Sequence, residues 1–244
     1  MNLPVYETPF YIYTHLCDRY YRLSIPATAQ LFQEVAELHS NTVGSGFQTL
    51  LERGRVWVLS KVSYRYIGRY PRLDEEVKLR TWSRGSDSLI AHRDFQIISK
   101  MGELLLACTS TWVVMDLHTR RVCRHQEEMK CYTTHEERAL NFDAQKVEMP
   151  DTFADSESQP CAVEFSSIDK AQHVNNAEYL RWFTNKVPVQ LLEKGPLAID
   201  INYLRETRPD DNATLCFQID GNQAWFQSST DRGICVNCHM TFNE

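Results

Sequence analysis

One pattern constrains this chain more than any other: a helix-like stretch followed by a run of strand-like segments, occurring twice. The first helix candidate covers residues 27 to about 42, with Leu31, Val35 and Leu38 near helical spacing. Strand-like runs follow at 56–67, 76–82, 89–98 and 104–115, separated by polar turns or by Gly85 and Gly102. The second helix candidate runs from about 173 to 187. Val174, Ala177, Leu180 and Phe183 share one stripe, and Pro188 marks its end. Strand-like runs then recur at 197–205, 213–219, 223–229 and 233–242. Local detail repeats as well, since Tyr70-Pro71-Arg72-Leu73-Asp74-Glu75 and Arg208-Pro209-Asp210-Asp211-Asn212 precede matching strands. The pattern predicts a duplicated α+β unit in which a helix packs on one face of an antiparallel sheet. Residues 1–140 form the first domain, 141–160 a polar linker without apolar periodicity, and 161–244 the second domain.

Bulk properties narrow the function classes. With 244 residues, 43% hydrophobic and 24% charged, the chain can bury a core in each half. A formal charge of -6 argues against nucleic-acid binding. No apolar run approaches the ~20 residues of a membrane helix. Met1-Asn2-Leu3-Pro4-Val5-Tyr6-Glu7 lacks the basic-then-apolar order of a signal peptide, so a cytoplasmic protein is the expectation. The eight cysteines then read as free thiols. Cys235-Val236-Asn237-Cys238 has C-x-x-C spacing but no second ligand pair to complete a metal site.

Several segments resemble the acyl-acyl-carrier-protein thioesterase family. In the first half they are Trp57-Val58-Leu59-Ser60, Tyr70-Pro71, Val77-Lys78-Leu79-Arg80-Thr81-Trp82, His92-Arg93-Asp94-Phe95, Ser110-Thr111-Trp112-Val113-Val114-Met115 and Asp116-Leu117-His118-Thr119-Arg120-Arg121. In the second they are Asp169-Lys170-Ala171-Gln172-His173-Val174-Asn175-Asn176, with Tyr179 and Trp182, and Tyr203-Leu204-Arg205-Glu206. The resemblance implies a tandem (double) hotdog, each half a long central helix wrapped by an antiparallel sheet. It implies hydrolysis of the thioester between a fatty acyl chain and the phosphopantetheine of an acyl carrier protein, with no metal or redox cofactor. The family pattern Asp-x-Asn-x-His plus a downstream Glu carries over to Asp169, His173 and Glu206. Two positions depart from it: Ala171 replaces the Asn, and Thr207 replaces a Cys that often follows the Glu.

The residue chemistry agrees with that reaction. His173 and Glu206 are both suitable bases for water. N–H groups at a helix start, here Gln172, His173, Val174 and Asn175, can receive a developing oxyanion, and Asp169 can orient a neighbour or cap the helix. Ala171, at the family's Asn position, belongs to the same positioning segment, but its methyl side chain offers no amide donor. A threonine without an adjacent base is a poor nucleophile, which favours general-base hydrolysis over a covalent acyl-enzyme. The first repeat shows no Asp-x-x-x-His immediately before its helix; Ser24-Ile25-Pro26-Ala27-Thr28 stands there, so one site per chain is expected. Leu31, Val35 and Trp57 are then candidates for acyl contact. Arg120, Arg121, Arg124 and Lys130, or Arg181 and Lys186, could dock an acidic carrier protein, although each cluster also suits a solvated face. A fused double hotdog can stay monomeric or pair again as a homodimer. Two other readings compete. One is a non-catalytic acyl-binding protein that lost the Asn. The other is a hotdog hydratase or dehydratase, whose Asp-x-Asn-Pro-x-His pattern is one residue longer than the interval here.

Overall fold

The computed structural model describes residues 4–244; Met1, Asn2 and Leu3, part of the segment read for a signal peptide, lie outside the described residues. The chain forms two compact units, one holding Gln30–Ala144 with the chain up to Ser24, the other holding Ile25–Ala29 and Gln145–Glu244.

The first unit contains β1 (Val5–Tyr11), α1 (Ile25–Thr42) from Gln30 onward, α2 (Phe47–Glu52), β2 (Arg55–Tyr66), β3 (Glu76–Asp87), β4 (Ile90–Ser99), β5 (Leu104–Asp116), β6 (Arg121–Cys123) and α3 (Gln126–Met129). Its antiparallel strands lie in the order β1-β3-β4-β5-β2, with β6 beside β5. Alternation decides which face is buried: Val77, Leu79 and Thr81 of β3 point inward. On α1, Leu31, Phe32, Val35 and Ala36 are buried, and the Phe32 ring stacks on Phe95 at 4.8 Å and Tyr64 at 6.1 Å. Leu38, expected on this stripe, is exposed; His39 continues the i, i+4 row from Leu31 and Val35 and is buried instead. Gly85, expected in a turn, lies inside β3 at a register shift, with φ +91, so its freedom serves a bulge.

The second unit contains β7 (Glu157–Cys161), α4 (Asn176–Thr184), α5 (Val189–Lys194), β8 (Pro196–Tyr203), β9 (Ala213–Asp220), β10 (Gln223–Thr230) and β11 (Gly233–Phe242). Its order, β7-β9-β10-β11-β8, repeats that of the first unit element for element. The expected stripe is buried, and Phe183 stacks on Phe226 of β10 at 5.1 Å. The helix is nevertheless shorter than expected: it starts at Asn176 because Asn175 caps it, and the chain resumes as α5 after Pro188.

The stretch read as a linker is also more ordered than its composition suggests. Leu140, Ala144, Val147 and Phe153 are buried, and the buried Asn202 side chain accepts from Val147 N (2.7 Å) and donates to Gln145 O (2.9 Å). Residues 157–161 form β7, a polar strand pairing with β9. Polarity and Pro160 hid it, and both suit an edge strand. All eight cysteines are free thiols; Cys235 and Cys238 are buried in β11. Among the described residues, no helix is long and apolar enough to cross a membrane.

Candidate active site

The loop before α4 is closed by a bridge between Ile168 and Val174. Within it Asp169 N–H donates to His173 O (3.0 Å) and Gln172 N–H to Asp169 O (2.9 Å), with Gln172 at φ +63. The Asp169 carboxylate stiffens the loop from inside: Oδ1 accepts from Ala171 N–H (2.8 Å) and Oδ2 from Asn175 Nδ2 (3.3 Å). Asp169 is therefore not the helix cap. Asn175 is, its Oδ1 accepting from Ala177 N–H at 2.9 Å. The sequence held a signal for this start, because Asn175 is followed three residues later by Glu178.

Val174 N–H donates to Thr207 O (2.9 Å), which ties the loop to the segment leaving β8. That bond brings Glu206 beside the loop: Oε2 lies 3.1 Å from His173 Nε2. The side chains are 26% and 21% exposed, open enough for a substrate to reach and dry enough to strengthen their interaction. Glu206 Oε1 accepts from Arg208 Nε (3.1 Å) and Nη2 (2.7 Å), and the Glu206 carbonyl accepts from Arg232 Nη2 (2.9 Å). Arg232 also pairs with Asp211 and holds its carboxyl below the usual carboxylate range. Thr207 is fully buried, and its N–H donates to Tyr179 Oη (3.2 Å), whose phenol is pushed up by burial. Sequence reasoning missed Arg208 and Arg232.

The remaining candidates are placed as follows. Ala171 is half-buried and Gln172 exposed. The backbone N–H groups of Ala171, Gln172, Val174 and Asn175 are all committed within the loop and its neighbours, Asn175 N–H to Ser167 O (2.8 Å). His173 lies before the helix, so the expected helix-start donors are not in α4. Leu31 and Val35 are buried core residues of the first unit; Trp57, there too, donates to Ser45 Oγ (3.4 Å) and its ring lies 5.8 Å from that of His125. In the basic clusters Lys130 pairs with Glu127 (2.6 Å), Arg181 with Glu178 (3.1 Å), and Lys186 donates to Gln159 (2.7 Å).

The first unit builds the same loop from different side chains, a counterpart that sequence reading missed. Cys17 bridges Leu23; Asp18 N–H donates to Arg22 O (2.8 Å), Tyr21 N–H to Asp18 O (3.1 Å) and Tyr20 N–H to Asp18 Oδ1 (2.8 Å). Leu23 N–H donates to Pro71 O (2.9 Å), and Tyr21 has φ +62. Asp18, Tyr20, Arg22 and Tyr70 thus stand where Asp169, Ala171, His173 and Glu206 stand in the second unit. Arg22 is buried, paired with Asp18 at 3.0 Å and lying over the rings of Tyr20 (4.7 Å) and Tyr70 (5.0 Å). An always-charged guanidinium between two phenols cannot serve as a base. The match was hidden because α4 was expected to start near His173; Asp18 and Asp169 in fact both stand seven residues before their helices, and Arg22 replaces the histidine.

The profile of the acyl-ACP thioesterase N-terminal domain matches residues 4–132, and that of the C-terminal domain matches residues 151–237. A palmitoyl-acyl carrier protein thioesterase of chloroplasts from Gossypium hirsutum is 30% identical over 200 residues, 77% of this chain and 48% of that protein. An oleoyl-acyl carrier protein thioesterase of chloroplasts from Arabidopsis thaliana is 28% identical over 77% of this chain and 56% of its own length. The chain thus spans about half the length of the curated relatives it matches. Among solved structures, an acyl-ACP thioesterase from Bacteroides thetaiotaomicron aligns with a TM-score of 0.86 at 20% identity, covering 98% of each chain. The 12:0-ACP thioesterase from Umbellularia californica aligns with a TM-score of 0.86 at 23% identity, covering 98% of this chain and 97% of its own. These likenesses give the tandem hotdog fold, and the two profile matches together show that the chain belongs to the acyl-ACP thioesterase family.

Proposed function

We propose that this chain hydrolyses the thioester of fatty acyl-acyl carrier protein and releases free fatty acid. The observation that carries the reading is the 3.1 Å contact between His173 and Glu206 on a loop stiffened by Asp169. The pair acts as one base. It takes a proton from water while the water oxygen attacks the thioester carbonyl, and a carboxylate beside an imidazole stabilises the proton on either partner. When the C–S bond breaks, the proton passes to the phosphopantetheine thiolate, leaving a thiol and a fatty acid. Fully buried Thr207 takes no part as nucleophile. With the backbone N–H groups of Ala171, Gln172, Val174 and Asn175 committed, the exposed Gln172 side chain is the oxyanion donor this reading assigns in place of the absent Asn.

Ala171 favours a second reading, an acyl-binding protein with little turnover, since losing one oxyanion donor commonly costs about 100–1,000-fold in rate. A free-thiol release assay across acyl lengths on carrier protein separates the two, run on the unmodified chain and on Ala171→Asn. Release by the unmodified chain supports hydrolysis. If neither protein releases thiol at any length, the enzyme reading fails, and mass spectrometry of the purified chain for retained acyl groups then tests the binding role.

A further inference from the structure

The side chain of Arg208 is 50% exposed, yet it folds back onto a carboxylate two residues earlier in the chain. Nε and Nη2 both donate to Glu206 Oε1, at 3.1 and 2.7 Å, while Oε2 faces His173 Nε2. A long side chain held this way loses rotamer freedom that water would have left it. The backbone is fixed too. Arg208 N–H donates to Asp211 Oδ2 (2.7 Å), and Arg232 joins Asp211 to the Glu206 carbonyl. The first unit repeats the turn, with Arg72 N–H donating to Glu75 Oε2 (3.0 Å), but has Tyr70 where the second has Glu206. The turn is common to both units; the row of guanidinium, carboxylate and imidazole belongs to the second.

We propose that Arg208 is a positioning residue for hydrolysis. It turns Glu206 so that Oε2 meets His173, and its charge limits how strongly the carboxylate holds a proton on the pair. Charged and titratable groups facing Glu206 include His173, Arg208 and Arg232, with Asp211 behind the two arginines. The inference rests on the thioesterase reading above.

The test compares Arg208→Gln and Arg208→Lys with the unmodified chain, using acyl-carrier protein and acyl-pantetheine, which lacks the carrier. Arg208→Gln is expected to lower kcat about 10–100-fold on both substrates, through a misplaced Glu206. KM should stay within about twofold. The acid limb of the pH–rate profile should move to higher pH, because a positive charge beside the pair has gone. Arg208→Lys keeps the charge and should hold the limb while recovering only part of kcat, since an ammonium lacks the fork. Unchanged kcat overturns the proposal, as does a loss confined to KM for the carrier-borne substrate, which would make Arg208 a docking cation. NMR titration of the His173 ring reads the same coupling without turnover: its midpoint should rise in Arg208→Gln. No movement overturns the proposal. A rise in a chain that hydrolyses nothing shows that Arg208 is coupled to the His173–Glu206 pair but overturns its role in hydrolysis together with the thioesterase reading.

Discussion

The two units differ most tellingly at single residues. Where the second has His173 facing Glu206, the first has Arg22 against Tyr70, on the same loop with the same hydrogen bonds. A neutralisable ring in one unit corresponds to a permanent cation in the other, so the proposed proton transfer belongs to one half of the chain. His173→Ala should therefore lower kcat by about 10²–10⁴-fold in thiol release, the usual contribution of a positioned acid–base group. Turnover at the unmodified rate would take His173 out of the chemistry. Asp169, His173 and Glu206 were nameable from sequence because they match a family pattern. Arg208 was not, since nothing in Glu206-Thr207-Arg208-Pro209 says that the arginine curls back rather than pointing into water. Ala171 could be read as a missing donor. That the N–H groups of Ala171, Gln172, Val174 and Asn175 are already engaged could only be seen in the fold.

At the level of elements, α4 depends on Asn175. Its side chain closes the first turn and also donates to Asp169, so the cap and the loop at 169–173 share one amide. Asn175→Ala should cost about 1 kcal/mol, seen as a lower urea midpoint. An unchanged midpoint would mean that the cap contributes nothing. The long strands β2–β5 and β8–β11 were legible because alternation over eight or more residues leaves little choice. Short β1, β6 and β7 were not, because their alternation is brief or polar and their place is set by a neighbouring strand. The start of α4 was misplaced for a related reason: Val174 belongs to the apolar stripe while lying outside the helix. Tyr21 and Gln172, both at positive φ without being glycine, mark the matched loops as strained turns that their hydrogen bonds hold in place.

For the whole molecule, pH acts through ion pairs as well as through the site. Asp143 is bonded by Arg138 and, at 2.7 Å, by Arg84 of β3; Arg138 chiefly holds its carboxyl down at about 2. The folded state thus binds this proton less readily than the unfolded chain. The stability gained is complete above about pH 4 and disappears as pH falls toward about 2. Asp143→Asn should lower the urea midpoint at pH 6 by the equivalent of less than about 1 kcal/mol, since the pair is half-exposed. The gap between variant and unmodified protein should close near pH 2; a gap independent of pH would rule out the ion pair as its cause.

The matched loops bear finally on how such a chain can change over generations. In an assembly of identical subunits, every mutation appears in each copy, so a histidine needed in one place must be kept in all. Here positions 22 and 173 are separate codons. A substitution at position 22 leaves position 173 unchanged, so the loops at 18–22 and 169–173 can carry different side chains on one backbone.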